Sequence, residues 1–322
     1  MIETRDSSFP EHRFPCAAER RDAYESAVSL GAARMRERTV VLCGLARDVE
    51  ATLPRTAARI ERLGGMFRDY RVIVFENDSR DGTLERLIDW QATNPRVSVL
   101  HETFRRPRWP QVVSLERAAE MASYRNRYLE TALARFGNRD FLVVLDTDLP
   151  DGFSYEGIAN TFGHDGWDMV GSNGIQMRTL PTGESFVVQF DSWAFRETGA
   201  PGPHGLRGTA ARWWRRGEPL VPLDSCFGGL AIYRMEALRA GARYAGTDCE
   251  HVPLHRRMRE LGFGRVFLNP SQIVIYPTAA AESARPWWRP LPLEEGGFVP
   301  EGVRPDPAPT LGPGRAGADC RR

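Results

Sequence analysis

The sequence predicts an α/β protein: a mostly parallel, Rossmann-type sheet flanked by helices, with a less regular second half. Three observations predict it. Apolar runs of strand length alternate with amphipathic helical repeats through residues 39–102, each run ends in a polar cluster, and a long helical repeat leads into a further apolar run at 141–145.

Residues 1–37 are polar and Arg-rich, with room for a short helix in AERRDAYESAVSLGAARMRER, and read as a surface arm. TVVLCGLA (39–46) is the first strand. In the segment that follows, Leu53, Ala57, Ile60 and Leu63 recur at helical spacing until Gly64 and Gly65 stop them. RVIVFEND (71–78) is the second strand, SRDGTLERLIDWQ a turn and helix, and RVSVLHE (96–102) the third strand. Ligands of doubly wound sheets sit at the carboxyl ends of the strands. The polar tips Arg47–Asp48, Glu76–Asp78 and Asp146–Asp148 are therefore expected on one edge.

A helix over 114–136 carries the apolar stripe Leu115, Ala118, Ala122, Leu129 and Leu133. Asn126 falls on that stripe, where a satisfied structural amide and a ligand contact are both open readings. Beyond residue 150 the pattern loosens. DMVGSNGIQM and SFVVQFDSWAFR read as strands, residues 198–219 as a long Gly-, Pro- and Arg-rich loop, and LDSCFGGLAIYRMEALRAG as strand and helix. TDCEHVPLHRRMRELG is a turn and helix, and RVFLNPSQIVIY a closing strand. From Thr278 the composition turns to Pro, Gly and Ala, predicting a tail with PWWRP as its docking point.

Composition removes several classes of chemistry. All 43 basic residues among the 322 are Arg, so a Walker lysine, a Schiff base and a pyridoxal-phosphate attachment are excluded. A net charge of +1 marks neither a nucleic-acid nor a membrane binder. Cys16, Cys43, Cys226, Cys249 and Cys320 form an odd set with no C-x-x-C, which favours a reducing compartment. With no signal-like N-terminus and no apolar run of about 18 residues, the chain is expected to be cytoplasmic, without a transmembrane segment.

Chemistry concentrates in FLVVLDTDLPDG (141–152), where a buried strand runs into Asp146 and Asp148. If the strand persists, both carboxylates face one side about 7 Å apart. A divalent cation with an anionic ligand resolves their repulsion, and hard oxygen donors suit Mg2+ or Mn2+ bound to a diphosphate. A D-x-D phosphatase is the rival, but it wants this strand near the domain start and a later Lys. A Walker-B strand lacks its P-loop here, and a merely solvated acidic loop is the plain alternative. In FENDSRDGT (75–83), Asp81 and Gly82 signal a turn and Thr83 a helix start, while Glu76, Asn77 and Asp78 offer acceptors to a base or a ribose.

In TDCEHVPLH (247–255), Pro253 places Asp248, Glu250 and His251 at a helix N-terminus. His251 and His255 are four apart, yet no H-E-x-x-H motif or Cys pair supports zinc, and His255 reads as a packing residue. His251 is a candidate to complete the Asp148 metal site, and Glu250 or Asp248 a candidate general base. Trp193 in FDSWAFR, together with Asp191, and the Trp213–Trp214 pair are candidates for sugar stacking and acceptor binding.

Together these motifs resemble nucleotide-sugar glycosyltransferases of the GT-A fold. More narrowly, ENDSRDGT, YRNRYL, LDTDL, FDSWAFR and CEHVPLHRRMRELGFGRVFLNP, in that order over 39–277, resemble the fungal capsule-associated α-mannosyltransferase family. The resemblance implies a GDP- or UDP-linked donor contacted by Cys43, Ala46, Glu76, Asn77, Asp78, Arg125, Asn126, Asp146 and Thr147. It further implies a metal on Asp146 and Asp148, with His251 as a further metal or diphosphate contact. The fungal relatives carry a membrane anchor, which is not seen in this sequence.

The expected organisation is an N-terminal arm (1–37), a glycosyltransferase domain (38–277) and a tail (278–322). The domain divides into a nucleotide-binding half (38–150) and an acceptor-side half (151–277). The expected activity is metal-dependent transfer of a sugar, with mannose implied by the narrower resemblance, to a hydroxyl of a saccharide or small molecule. A phosphohydrolase or nucleotidyltransferase on the same D-x-D site, and a non-catalytic nucleotide-sugar binding protein, are the rivals.

Overall fold

The computed structural model describes residues 7–109, 113–149, 151–179, 185–199 and 214–280. Helix α1 (Arg21–Met35) precedes the expected alternation β1 (Thr39–Ala46), α2 (Leu53–Gly64), β2 (Asp69–Asn77), α3 (Thr83–Thr93) and β3 (Val97–Glu102). Helix α4 (Leu115–Phe136), whose first turn is capped by the Ser114 hydroxyl accepting from the Arg117 N–H, leads into β4 (Phe141–Asp146). Then come α5 (Tyr155–Gly163), β5 (Met169–Thr179), β6 (Ser185–Phe190) and the short β7 (Arg196–Glu197). Strands β8 (Val221–Ser225) and β9 (Leu230–Arg234), helices α6 (Met235–Arg239) and α7 (His251–Glu260), and β10 (Val266–Ala280) complete the order.

Among the described residues ten strands form one sheet in the order β3-β2-β1-β4-β9-β5-β10-β8-β7, with β6 paired to β5. Strands β1, β2, β3 and β4 are parallel; β9 runs against both β4 and β5, so β5 and β10 return to the direction of β4. The chain leaves β1 on one side toward β2 and comes back on the other as β4, and the neighbouring strand ends open a crevice there. Alternation along β1 serves both faces: Val40 and Leu42 pack with α2 and α3, Val41 and Cys43 with α4.

Two expectations are corrected. Residues 7–37 are no loose arm: Phe9, Phe14, Tyr24 and Met35 are buried and α1 packs on α5. At that crossing Gly31 lets the helix backbones touch, since a Cβ there would lie 1.7 Å from the Ala159 carbonyl oxygen. The sequence reading had no α5, because Gly157 and Gly163 weaken its helical signal. Both glycines are contacts as well, Gly157 against Ser271 and Gly163 against Ala27. The second correction is at the far end, where β10 continues past Thr278 to Ala280. PWWRP and the rest of the predicted tail lie outside the described residues, as does most of the 198–219 loop. No described helix is long and apolar enough to cross a membrane.

Candidate functional site

The register aligns the strand tips: Leu45 of β1 pairs with Asp146 of β4, and Ala46 with Glu76 of β2. β4 is buried from Phe141 to Leu145 and ends on Asp146, so the two D-x-D carboxylates leave the sheet at the crevice. Thr147 turns inward. It is buried, donates its hydroxyl to the Leu45 carbonyl at 2.6 Å and accepts on its own carbonyl from the Thr56 hydroxyl at 3.0 Å, which pins the turn between the aspartates.

The Tyr276 hydroxyl donates to Asp146 Oδ2 at 2.8 Å, and Arg125 Nη2 lies 3.6 Å from Oδ1. Burial pushes the Asp146 carboxyl up to about 7 against the pull of Arg125, and the charge of Asp148 adds to the rise. Burial raises Asp148 too, with Arg108 drawing it back. The pair therefore carries a repulsion that these arginines leave unrelieved, the condition a divalent cation meets. Among the described residues no three His, Cys, Asp or Glu side chains assemble into a metal cage. Two hard carboxylates still fit Mg2+ or Mn2+, which keep positions for water and phosphate oxygens.

His251 is not assembled with the two aspartates. Its ring is buried, stacked on Phe227 at 4.0 Å, with Nε2 3.6 Å from Glu250 Oε1 and Nδ1 3.5 Å from the Tyr233 hydroxyl. Burial holds its pKa well below the ordinary value, and Arg125 and His255 push the same way. His255 is a packing residue, as expected: it is fully buried, between the Ser225 and Tyr233 hydroxyls at 2.8 and 3.1 Å.

Both residues expected to act as base are held by arginines. Arg125 Nε donates to Glu250 Oε1 at 2.9 Å, and Arg196 Nη2 donates to Asp248 Oδ1 at 2.6 Å. The Cys249 N–H also donates to Asp248. Asp191, just beyond β6, is half-buried and accepts from the Ala194 N–H. Burial and the charge of Glu250 push its carboxyl up to about 6.

At the β2 tip, Glu76 is buried and already occupied: it accepts from the Ser79 N–H at 2.9 Å and pairs with His101 Nδ1. Asn77 donates to Asp78 at 3.2 Å. Asp78, at φ +53°, accepts from the N–H groups of Phe104, Arg105 and Arg106 and so anchors the loop after β3. Burial opposes its charge, yet the Arg105 N–H, Asn77 and the other loop amides hold its carboxyl below the usual range. Beside it opens a cavity of about 390 Å³, lined by Glu76, Asp78, Ser79, His101, Thr103 and Arg105 among others.

Several of the residues expected at the donor or acceptor pack within the fold. Cys43 is fully buried under α4, because its place in the β1 alternation points it to the core. Ala46 is buried at the end of the same strand. Asn126 clamps the Tyr244 backbone, donating to its carbonyl at 3.0 Å and accepting from its N–H at 3.1 Å. Trp214 is buried against Phe195 at 5.8 Å, a core contact and no exposed platform. Trp193 is partly exposed, with the Arg117 guanidinium 5.8 Å from its ring centre. Trp213 lies outside the described residues.

Sequence reasoning missed Tyr276, Arg108, Arg117 and Arg196. Tyr276 reaches Asp146 from 130 positions away and sits in an ordinary apolar strand run, where no local pattern marks it.

The sequence matches no protein-family model and no curated protein. Among solved structures it is similar to a mannosyltransferase from Pyrobaculum calidifontis in complex with GDP-Man and Mn2+, at 14% identity and a TM-score of 0.45, over 80% of this chain and 66% of that one. It is similar to GalNAc-T7 with UDP, GalNAc and Mn2+, at 13% identity and a TM-score of 0.45, over 84% of this chain and 55% of that one. A third similar structure is glucosyl-3-phosphoglycerate synthase from Mycobacterium tuberculosis with Mn2+, UDP and phosphoglyceric acid, at 15% identity and a TM-score of 0.39, over 80% of this chain and 75% of that one. The chain thus spans less than two thirds of the first two proteins it resembles.

Proposed function

We propose that this chain is a metal-dependent glycosyltransferase of the GT-A type, moving a sugar from a GDP- or UDP-linked donor to a hydroxyl of a saccharide or small molecule. Mannose is the sugar favoured by the motif order of the sequence. The observation that carries the reading is the Asp146–Asp148 pair: two half-buried, mutually repelling carboxylates at the crevice of a mostly parallel sheet, on the same sheet edge as a cavity at the β2 and β3 tips.

Asp146 and Asp148 would hold Mn2+ or Mg2+. Bound there, the ion supplies Lewis-acid neutralisation of the departing diphosphate, worth several kcal/mol. Arg125 holds Asp146 in place and adds positive charge beneath it. The cavity beside Asp78 accommodates the nucleoside, and Trp193 offers a face to the acceptor. His251 is a support for Glu250 in this reading, its ligand role given up for the packing described above. The reaction takes place in the cytoplasm, where the free thiols of Cys43, Cys226 and Cys249 stay reduced.

The test is thermal unfolding with GDP, UDP, GDP-mannose and UDP-glucose, each with Mn2+ or EDTA, for the parent protein and Asp148→Asn. A Mn2+-dependent rise with one nucleotide, absent in the variant, is the expected result and identifies the base. No rise with any nucleotide would sink the reading. Release of phosphate from a nucleotide without an acceptor would point to a phosphohydrolase instead.

A further inference from the structure

Strand β10 braces the D-x-D turn from both ends. The Tyr276 hydroxyl donates to Asp146 Oδ2 at 2.8 Å, and the Ile275 N–H donates to the Gly152 carbonyl at 3.0 Å. Val274 forms an antiparallel bridge with Phe153, and the Ile273 carbonyl accepts from the Ser154 N–H at 2.9 Å. Four consecutive residues of one strand thus hold the segment that carries Asp148 before and after it.

The backbone of Asp146 is held as well. Its N–H donates to the carbonyl of Gly229, in the turn between β8 and β9, at 2.9 Å. A Cβ on Gly229 would lie 2.6 Å from the Tyr276 hydroxyl oxygen, so a glycine there is what lets the phenol reach the carboxylate. The Tyr276 ring is buried and packs on Phe190, with ring centres 3.8 Å apart, which fixes the direction of its hydroxyl.

The two oxygens of Asp146 are therefore unequal. Oδ2 is taken by a buried phenol, whereas Oδ1 accepts no hydrogen bond among the described residues. Arg125, 3.6 Å from Oδ1, is committed through Nε to Glu250 and through Nη1 to Tyr128. A carboxylate held in this way presents one oxygen and cannot turn to present both. Ca2+ accepts more oxygens, at longer distance and in adaptable geometry, including both oxygens of one carboxylate. Mg2+ and Mn2+ want a compact octahedron, to which a carboxylate gives a single fixed oxygen.

We propose that Tyr276 is a positioning residue that selects the ion: by fixing Asp146 with one oxygen on offer, it favours Mn2+ or Mg2+ over Ca2+. The inference rests on the metal site of the glycosyl-transfer reading above.

The experiment titrates the protein with Mn2+ by electron paramagnetic resonance, which reads the free ion, and measures Mg2+ and Ca2+ by their competition with it. The parent, Tyr276→Phe, Phe190→Leu and Asp148→Asn are compared, each alone and with GDP or UDP. Phenylalanine removes one oxygen and keeps the ring on Phe190, and the melting temperature without metal checks that the fold holds. Phe190→Leu loosens the same packing and keeps the hydroxyl. The expected result for Tyr276→Phe is an Mn2+ affinity lowered by about 10–100-fold, with Ca2+ affinity lowered far less, so that the preference narrows. Phe190→Leu is expected to keep the preference of the parent. A parent without preference for Mn2+ over Ca2+, an unchanged ratio in Tyr276→Phe, or an equal loss in Phe190→Leu overturns the role of Tyr276 and leaves the metal site standing. A parent that binds no Mn2+ with either nucleotide, or binds it as tightly after Asp148→Asn, overturns both.

Discussion

Arg125 and Glu250 form a buried ion pair, Nε to Oε1 at 2.9 Å, with side chains only 4% and 6% exposed. The same guanidinium donates to the Tyr128 hydroxyl and faces Asp146, so one cation from α4 ties α7 to the end of β4.

Breaking that pair from one side strands a charge in the interior. Arg125→Ala is expected to cost about 3–5 kcal/mol of unfolding free energy, and the double variant Arg125→Met with Glu250→Gln distinctly less. Urea denaturation of the parent and the two variants measures both; equal losses would mean that the pair is solvated.

The contact between α1 and α5 depends on Gly31. Gly31→Ala puts a methyl 1.7 Å from the Ala159 carbonyl oxygen and 2.7 Å from the Gly163 nitrogen, so the helices must part. A loss of about 1–3 kcal/mol is expected. An unchanged melting temperature would show that α1 is undocked in solution.

The two buried histidines give stability a pH slope. Burial pushes His255 down to about 3, with Arg259 adding to it, and holds His251 well below 6.5. Below 6.5 the unfolded imidazoles take up protons that the folded ones refuse. Their stabilisation is complete above that value and lost as the pH falls toward 3, by up to about 1.4 kcal/mol per pH unit for each ring. Because the raised carboxyls of Asp146 and Asp191 titrate the opposite way over the same range, the difference between parent and variant is the measure: in urea unfolding between about pH 7 and pH 5, the rise of stability with pH should be smaller by one proton in His255→Gln.

Asp146 acts in the opposite direction. With its carboxyl raised to about 7, the folded state keeps a proton that the unfolded state releases above 3.8, so apo stability falls as the pH rises between these values. A divalent cation competes for the same oxygens. Stabilisation by Mn2+ with the matching nucleotide is therefore expected to grow from about pH 5.5 to about pH 8. Differential scanning fluorimetry at the two values decides it: a shift equal at both would place the ion elsewhere.

The alternation of apolar runs and helical repeats over residues 39–146 was legible because period and length are local properties, and β1 to β4 stand where the sequence put them. Asp146, Asp148 and the Glu76–Asp78 tip were legible for the same reason: strand ends of a doubly wound sheet share an edge whatever the rest of the chain does. Side-chain direction was not legible in the same way, because it depends on partners far along the chain: Thr147 turns to Leu45 and Asn126 to Tyr244. The second half was less legible, since β5, β9 and β10 assemble out of chain order and the glycines that admit α5 look like helix breakers in one dimension. The sequence by itself determined the parallel half of the sheet, β1 to β4, its edge and the paired carboxylates. Tertiary structure alone decided which carboxylates are neutralised, because an arginine's counter-ion is chosen by packing: Arg125 takes Glu250 across 125 residues and Arg196 takes Asp248 across 52.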